Sequence, residues 1–289
     1  MAEQKRELQM NEEKLLIAQA EDLIHRCGIQ DIPVCSGFLD ARQQSLLRRQ
    51  FGTKHGDVTI VYYGGYEDAD RVVMACLPFY LSEFSDLSGS AASDDHGSPA
   101  GRMTYFDDVL TVIRAHVPER SAAGRSGRSL AHSDYLGALR GLGIDRSVIG
   151  DILVRDDGAD IIVRRDMADY LLQNLTSAGK AHISPEELPL AELRVPDKCV
   201  TLFSDTVASM RLDAVLSSAF RISRGKAAGA IRQSLVFVDH LQATRPDMNV
   251  REGAELVIRH MGKVRLAEIG KRTRKDRIRI TFEKYDNNK

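Results

Sequence analysis

Apolar positions change their spacing several times along the chain, and each change marks an element. Between residues 3 and 26, Leu8, Leu15, Leu16, Ala20, Leu23 and Ile24 recur close to helical spacing among charged neighbours, which predicts an amphipathic helix. Gly28 is placed to end it, with Pro33 beyond. A second helix is expected over about 40–51, with Asp40 as its N-cap. The run from Val58 to Tyr63 is β-branched and aromatic and is followed by Gly64 and Gly65, which reads as a strand and a turn. These elements predict a small N-terminal α/β unit over residues 1–69.

From Asp70 the pattern alternates between strand and helix. RVVMACLPFY and VLTVIRAHV read as strands, YLGALRGLGI as a helix stopped by glycine, and MADYLLQNLTSAG as another amphipathic helix. DILV and GADIIVRRD form a hairpin around Asp156, Asp157 and Gly158. This order predicts a one-sheet α/β sandwich of the ferredoxin-like kind over 70–184. Two Ser/Gly/Ala-rich stretches, near 82–102 and 118–129, contain almost no large apolar residue and read as surface insertions. Arg120, Arg125 and Arg128 in the second are read as solvated loop positions. Residues 185–208, with Pro185, Pro189 and Pro196, read as a linker to a last domain over 209–289.

Charge divides the chain more sharply than hydropathy does. Residues 205–289 hold 18 Lys and Arg against 10 Asp and Glu, whereas the whole chain of 289 residues holds 40 and 41. A basic module on an acidic body points to polyanion binding at one end. The N-terminus is charged and lacks the apolar core of a signal peptide, and no apolar run approaches membrane-spanning length. Cys27, Cys35, Cys76 and Cys199 are scattered without metal-ligand spacing, so reduced thiols are expected, and no metal or cofactor site.

Within the basic module, Leu212, Val215, Leu216 and Ala219 lie at i, i+3, i+4 and i+7, a narrow apolar helix stripe. Ser223 sits where an N-cap belongs, ahead of a helix whose buried face is Ala227, Ala230 and Ile231. Arg221, Arg224, Lys226 and Arg232 gather around the start and flank of that helix, where free N–H groups already favour phosphate. Gly225, Ala228 and Gly229 leave part of its surface very small. Close approach of an RNA backbone explains that, and so does close helix packing. Both readings stand at this point. Further on, Lys271, Arg272, Arg274, Lys275 and Arg277 precede a strand in which Ile278, Ile280 and Phe282 alternate with polar residues.

Arg211-Leu212-Asp213-Ala214-Val215-Leu216, then Ser223-Arg224-Gly225-Lys226-Ala227, then Ile231-Arg232 and the short strand Val236-Phe237-Val238, together resemble the S4 RNA-binding domain. Where that family usually has glycine before the strand and Asn-Gly in the turn after it, this chain has Ser234 and Asp239-His240. It also has Gly253-Ala254 where the family often shows Gly-Asp. In the middle of the chain, His132-Ser133-Asp134-Tyr135-Leu136-Gly137, Gly141-Leu142-Gly143-Ile144-Asp145-Arg146 and Ile149-Gly150-Asp151-Ile152 resemble the central signature of the YlmH family. So does the stretch Phe38 to Gln44, and so does Thr273 to Arg277.

The resemblance implies an α+β, multidomain, cytoplasmic bacterial protein: an N-terminal α/β unit, a central RNA-recognition-like domain and a C-terminal S4 domain. It implies a monomeric, non-enzymatic factor of ribosome-associated quality control, without membrane insertion. Its implied partners are rRNA and tRNA on large subunits obstructed by peptidyl-tRNA, and the factor that elongates C-terminal alanine tails. RNA contact is expected from Arg211, Arg221, Ser223, Arg224, Lys226, Arg232, Lys271, Arg272, Arg274, Lys275 and Arg277. Asp213 is expected to orient Arg211, and His132, Arg140 and Arg146 are candidates in the central domain. A division-linked scaffold and an S4-bearing rRNA-modifying enzyme are the alternatives. His132-Ser133-Asp134 has the letters of a hydrolase triad but not its geometry, since consecutive residues cannot converge on one reacting atom. GLGIDR follows a helix rather than a strand and lacks a third glycine, so Gly141 or Gly143 is read as a helix cap instead of a dinucleotide loop.

Overall fold

Ala20, Ile24 and Cys27 face one core and fix the first helix, α1 (Ala2–Gln30), against the strands that follow. The computed structural model describes residues 2–81, 104–118, 130–196 and 200–285. Helix α1 runs through Gly28, the expected stop, because Cys27 is buried and holds that turn in place. The chain leaves the helix at Asp31, which takes a left-handed φ of 54° and donates its N–H to the Cys27 carbonyl at 3.0 Å. Helix α2 (Ala41–Phe51) begins on Asp40 with a full capping box: Asp40 accepts from the Gln43 amide at 2.8 Å, and Gln43 accepts from the Asp40 amide at 2.8 Å.

Strands β1 (Val34–Leu39), β2 (Lys54–His55), β3 (Val58–Tyr63) and β4 (Val72–Leu77) form an antiparallel sheet in the order β1-β4-β3-β2. The expected boundary at residue 69 therefore falls inside a hairpin. A short turn folds β4 back onto β3, with β1 on its other side, and all six β4 residues are buried.

The second sheet contains β5 (Leu110–His116), which follows the short helix α3 (Thr104–Val109), then β6 (Ile149–Arg155) and β7 (Gly158–Arg164). Helix α4 (His132–Gly141) joins β5 to β6. After β7, helix α5 (Ala168–Asn174) ends earlier than its apolar spacing suggested, giving way to a two-residue hairpin, β8 (Ser177–Ala178) and β9 (Ala181–His182). The last strand, β10 (Ser184–Leu188), lies in the stretch expected to be linker. It pairs with β5 from Ser184↔His116 to Leu188↔Val112, and Pro185 is tolerated there because β10 is an edge strand. The order β10-β5-β7-β6 with βαββαβ connectivity is the expected ferredoxin-like fold.

Each face of this second sheet is covered. Ile113, Ala115, Ile161 and Val163 lie beneath Tyr135 and Leu139 of α4 and Ala168 and Leu171 of α5. On the opposite face Leu110, Val112, Ile162 and Leu188 pack against Phe38, Val61, Val73, Ala75 and Leu77 of the first sheet. The joint is tight at Gly150, where a Cβ would come within 2.7 Å of the Phe38 ring. Asp151 accepts from Tyr66 Oη (2.8 Å), the Asp70 amide (2.7 Å) and the Arg71 amide (3.1 Å), and Arg71 donates to the carbonyls of Ile149, Arg146 and Phe38. Burial raises the Asp151 pKa despite the three donors.

The chain divides into two compact units, Met1–Pro196 and Asp197–Lys289. The second contains β11 (Val200–Val207), α6 (Leu212–Ala219), α7 (Arg224–Arg232), β12 (Val236–Val238), β13 (Leu241–Gln242), β14 (Glu255–Ile258), β15 (Gly262–Arg272) and β16 (Ile278–Tyr285). Its six-stranded sheet runs β11-β16-β15-β14-β12-β13. Strand β11 also replaces expected linker, pairing with β16 from Val200↔Tyr285 to Val207↔Ile278. Leu212, Val215, Leu216, Ala227 and Ile231 of the helix pair close over Val236, Leu256, Leu266, Ile280 and Phe282.

The insertions read at 82–102 and 118–129, with Arg120, Arg125 and Arg128, and also Cys199, lie outside the described residues, Pro118 apart. Cys27, Cys35 and Cys76 are free thiols. No helix among the described residues is long and apolar enough to cross a membrane.

Candidate nucleic-acid interface

The helix pair of the second unit is organised by one carboxylate. Asp213, in the first turn of α6, is 7% exposed and accepts from Arg211 at 3.2 Å and from Arg224, at the start of α7, at 2.8 Å. Burial pushes its pKa up, but the hydrogen bonds from Arg211 and Arg224 outweigh that and hold it below the usual carboxylate range. The expected role of Asp213 thus extends to two arginines, one before each helix or at its start. Both guanidinium groups remain about half exposed, at 42% and 54%. Ser223 caps α7, its hydroxyl accepting from the Lys226 amide at 3.2 Å.

Around that cap, Arg221, Lys226 and Arg232 are exposed. Among the described residues their side chains have no hydrogen-bond or ion-pair partner. Arg221 occupies the tight turn between the helices with a left-handed φ of 52°. A Cβ added to Gly229 would meet no atom within 4 Å, and one on Gly225 only the Ser223 hydroxyl at 4.0 Å. Helix packing therefore does not explain these glycines, because the surface over them is open.

The second basic cluster is the tip of the β15–β16 hairpin. Lys271 and Arg272 end β15, the turn closes through Asp276 N to Thr273 O at 2.9 Å, and Arg277 precedes β16. Arg272 pairs with Asp276 at 2.7 Å, which holds the turn and offsets part of the charge. Lys271, Arg274 and Lys275 are exposed. Arg277 reaches across to β11, donating to the Thr206 hydroxyl at 2.9 Å and to the Thr206 carbonyl.

Next to Thr206, Asp205 accepts from the Ser218 hydroxyl of α6 at 2.5 Å. That bond, the Thr206 amide and the charges of Arg277 and Arg221 lower its pKa. The hairpin, at Arg277, and the helix pair, at Ser218, thus meet at Asp205 and Thr206, which puts Arg277 and Arg221 within electrostatic reach of one carboxylate. Sequence reasoning missed these two organisers because they fall in the stretch read as linker. The available signal was Phe203 and Val207 on the helix-facing side alternating with exposed Leu202 and Ser204, broken for the eye by the exposed Asp205 between them.

Three positions that depart from the S4 pattern are left-handed: Ser234 (φ 61°), Asp239 (48°) and His240 (63°). Glycine or asparagine suits such positions, which explains the usual residues there. Here side chains compensate. Asp239 accepts from the Glu255 amide at 2.9 Å, His240 pairs with Glu255 at 3.0 Å, and Ser234 accepts from Gln242 at 2.7 Å.

In the first unit, His132, Ser133 and Asp134 form the first turn of α4, and Asp134 accepts from the Ala131 amide at 2.8 Å, a capping contact. Gly143, with a φ of 76°, supplies the left-handed residue after that helix. Arg140 lies in the last turn of α4, and Arg146 opens the 3-10 turn Arg146–Val148. Much of the central signature is structural: Gly150 and Asp151 join the two sheets.

A helix pair carrying exposed cations on an antiparallel sheet, its second helix capped by Ser223, defines an RNA-binding protein of the S4 type. Family models agree with that class, the S4 domain matching residues 210–256 and "Putative RNA-binding domain in YlmH" matching residues 126–192. The chain is 34% identical over 248 residues, 86% of its own length and 85% of the relative's, to "Ribosome-associated protein quality control protein P2" of Bacillus subtilis (strain 168). It belongs to the YlmH family. Among solved structures, "Cell division protein ylmH from Streptococcus pneumoniae" aligns with a TM-score of 0.44 at 18% identity, covering 64% of this chain and 95% of that one.

Proposed function

We propose that the protein is a cytoplasmic, non-enzymatic factor of ribosome-associated quality control. Its second unit grips rRNA and tRNA on large subunits that still carry peptidyl-tRNA, and so supports alanine tailing of the stalled chain. The observation that carries this reading is the set of exposed, unpartnered cations Arg221, Lys226 and Arg232 around the capped start of α7. Phosphate fits there because the free N–H groups at the start of α7 and the exposed cations beside them supply donors and positive charge, while Asp213 engages only part of Arg211 and Arg224. Arg211 and Arg224, half engaged by Asp213, serve as pre-oriented donors with one edge free. Ser223 holds the cap, and Lys271, Arg274 and Lys275 add charge at the tip. Arg272 and Arg277 shape the hairpin and turn outward what remains of their donors. The relative's name supplies the ribosomal context.

The test is sedimentation of cell lysate through sucrose at low and high salt. The wild-type chain is expected with free large subunits at low salt and is released as salt rises. Changing Arg221, Lys226 and Arg232 together to alanine should leave the protein at the top of the gradient. Wild type staying at the top at low salt, even when stalled subunits accumulate, would sink the proposal.

A further inference from the structure

Single exposed apolar side chains are ordinary on a protein surface, but a group of them around a cavity is not. Such a group lies in the first unit, where α1 ends. Phe79 and Ile29 are 73% and 70% exposed, and Ile32 and Tyr80 are exposed as well. Strand pairing brings them together: Val34 of β1 lies opposite Cys76 of β4, so the chain entering β1 runs beside the chain leaving β4. The Tyr80 hydroxyl fixes that closeness by donating to the Asp31 carbonyl at 3.0 Å.

An open pocket of about 470 Å³ lies among these residues. Val58, Pro78 and Phe79 give it apolar walls, and the last turn of α1 meets it at Cys27 and Gly28. Gly28 leaves it room, since a Cβ there would already touch Val58 Cγ2 at 3.6 Å. A glycine inside a helix costs about 0.5–1 kcal/mol relative to alanine, and the space it leaves is a use for it.

Two carboxylates from different elements also line the pocket: Asp31, just beyond α1, and Asp57, in the β2–β3 turn. Both are exposed, and neither side chain has a hydrogen-bond or ion-pair partner among the described residues. Arg26, Lys54 and His55, close by in the sequence, leave them unpaired. The carboxyl end of α1 adds negative potential, because the last carbonyls of a helix lack partners within it.

The chemistry that fits is a positive charge on an apolar stem. A lysine or arginine can lay its methylenes along Val58 and Pro78 and place its charge between the two carboxylates. An arginine can also set its guanidinium over the Phe79 ring. Ile29, Ile32 and Tyr80 then receive apolar neighbours of that residue. The same carboxylates repel RNA phosphate, and a hard metal ion needs more oxygen ligands than two carboxylates among apolar walls supply. The first unit as a whole is acidic, with 21 Lys and Arg against 30 Asp and Glu over residues 1–196, which draws a basic partner toward it.

We propose that this pocket docks a basic segment of a partner protein, holding one arginine or lysine between Asp31 and Asp57 against Phe79. The proposal goes beyond the RNA-binding reading and uses no residue of the second unit.

The test is a titration of the isotope-labelled full chain with a short capped peptide that carries arginine between two leucines, followed by two-dimensional amide NMR. Shifts are expected at residues 27–32, 57–58 and 78–80, with a dissociation constant on the order of 0.1–1 mM that rises with salt. Asp31→Asn with Asp57→Asn should weaken binding roughly fivefold to tenfold, and asparagine suits the left-handed φ at position 31. Phe79→Ala should weaken it about threefold. Gly28→Leu, which fills the pocket, should abolish it. The rest of each spectrum reports whether the variant is folded. The Arg221→Ala, Lys226→Ala and Arg232→Ala variant should bind the peptide like wild type, so the two readings fail separately. No shifts at several millimolar peptide, shifts elsewhere on the chain, or equal binding of a peptide with glutamine in place of arginine would each overturn the proposal. A stem-loop RNA that shifts the same residues as strongly would assign the pocket to nucleic acid and overturn it too.

Discussion

The two units use the same local arrangement and end differently. Each places two helices on one face of an antiparallel sheet. In the first unit the remaining face is buried against a second sheet, so β7 is buried at six of its seven positions. In the second unit the remaining face stays polar, and along β16 buried Ile280 and Phe282 alternate with Arg279, Thr281 and Glu283. Continuous apolar runs and strict alternation thus report whether a sheet has one cover or two. The comparison also bears on function: the covered sheet gives up its stacking surface, and the basic surface of the second unit lies on helices and a hairpin tip.

The comparison can be broken most directly by placing a charge in equivalent positions. Ile162→Asp, at a site buried between two sheets, should cost roughly 4–5 kcal/mol or more and unfold the first unit. Ser204→Asp, on the open face of the second unit, should stay within about 0.5 kcal/mol. Hydrogen exchange followed separately in the two units distinguishes them, and equal losses would refute the assignment of faces.

A smaller loss is expected from Asp151→Ala, which strands the Tyr66 hydroxyl and the Asp70 and Arg71 amides and should cost about 3 kcal/mol. The damage should appear as lost exchange protection in the first unit alone.

In the second unit, Asp213→Ala should cost roughly 1–2 kcal/mol, less because Arg211 and Arg224 can turn to water. The Asp213 pKa is lowered in the fold, so its contribution is present above the ordinary carboxylate range and is lost as pH falls through the depressed value. Acid unfolding of the second unit in wild type and variant should therefore converge at low pH and diverge toward neutrality. Parallel curves would show that Asp213 is not the group involved.

The smallest effect has opposite signs in two assays. Gly229→Ala should stabilise the second unit by about 0.5–1 kcal/mol, because the helix gains alanine in open space. RNA affinity should fall several-fold if a backbone rests on that surface. A stabilised variant with unchanged affinity would remove the close-approach explanation for the glycines.

Much of this molecule was legible in its sequence wherever the cause is local. Asp40 and Ser223 announce their helices because a cap needs only its own side chain and an amide three residues on. The helical stripe from Leu212 to Ala219 and the hairpin at Asp156 to Gly158 follow from periodicity and turn chemistry in the same way. The errors lie where partners are distant. Strand β4 pairs with β1 and β3 rather than joining the second sheet that its place in the chain suggests, and the edge strands β10 and β11 lie hidden in a proline-containing stretch, because a strand's place in a sheet is specified by the strands it joins. Gly28 failed as a stop because the burial of Cys27 outweighs the local preference.

The chain's own order of residues determined the elements, the separation of an acidic body from a basic end, and the cations of the S4 helix pair. All of these depend on neighbours a few positions apart. Only the tertiary structure decided that the ferredoxin-like sheet is covered on both faces, that Asp213 serves two arginines, and that Asp205 and Thr206 join the hairpin to the helices. It also decided that Asp31, Asp57 and Phe79 share one pocket. The reason is the same in each case: burial and counter-charge are properties of surfaces brought together from far apart in the chain, and no local pattern encodes which surface will meet which.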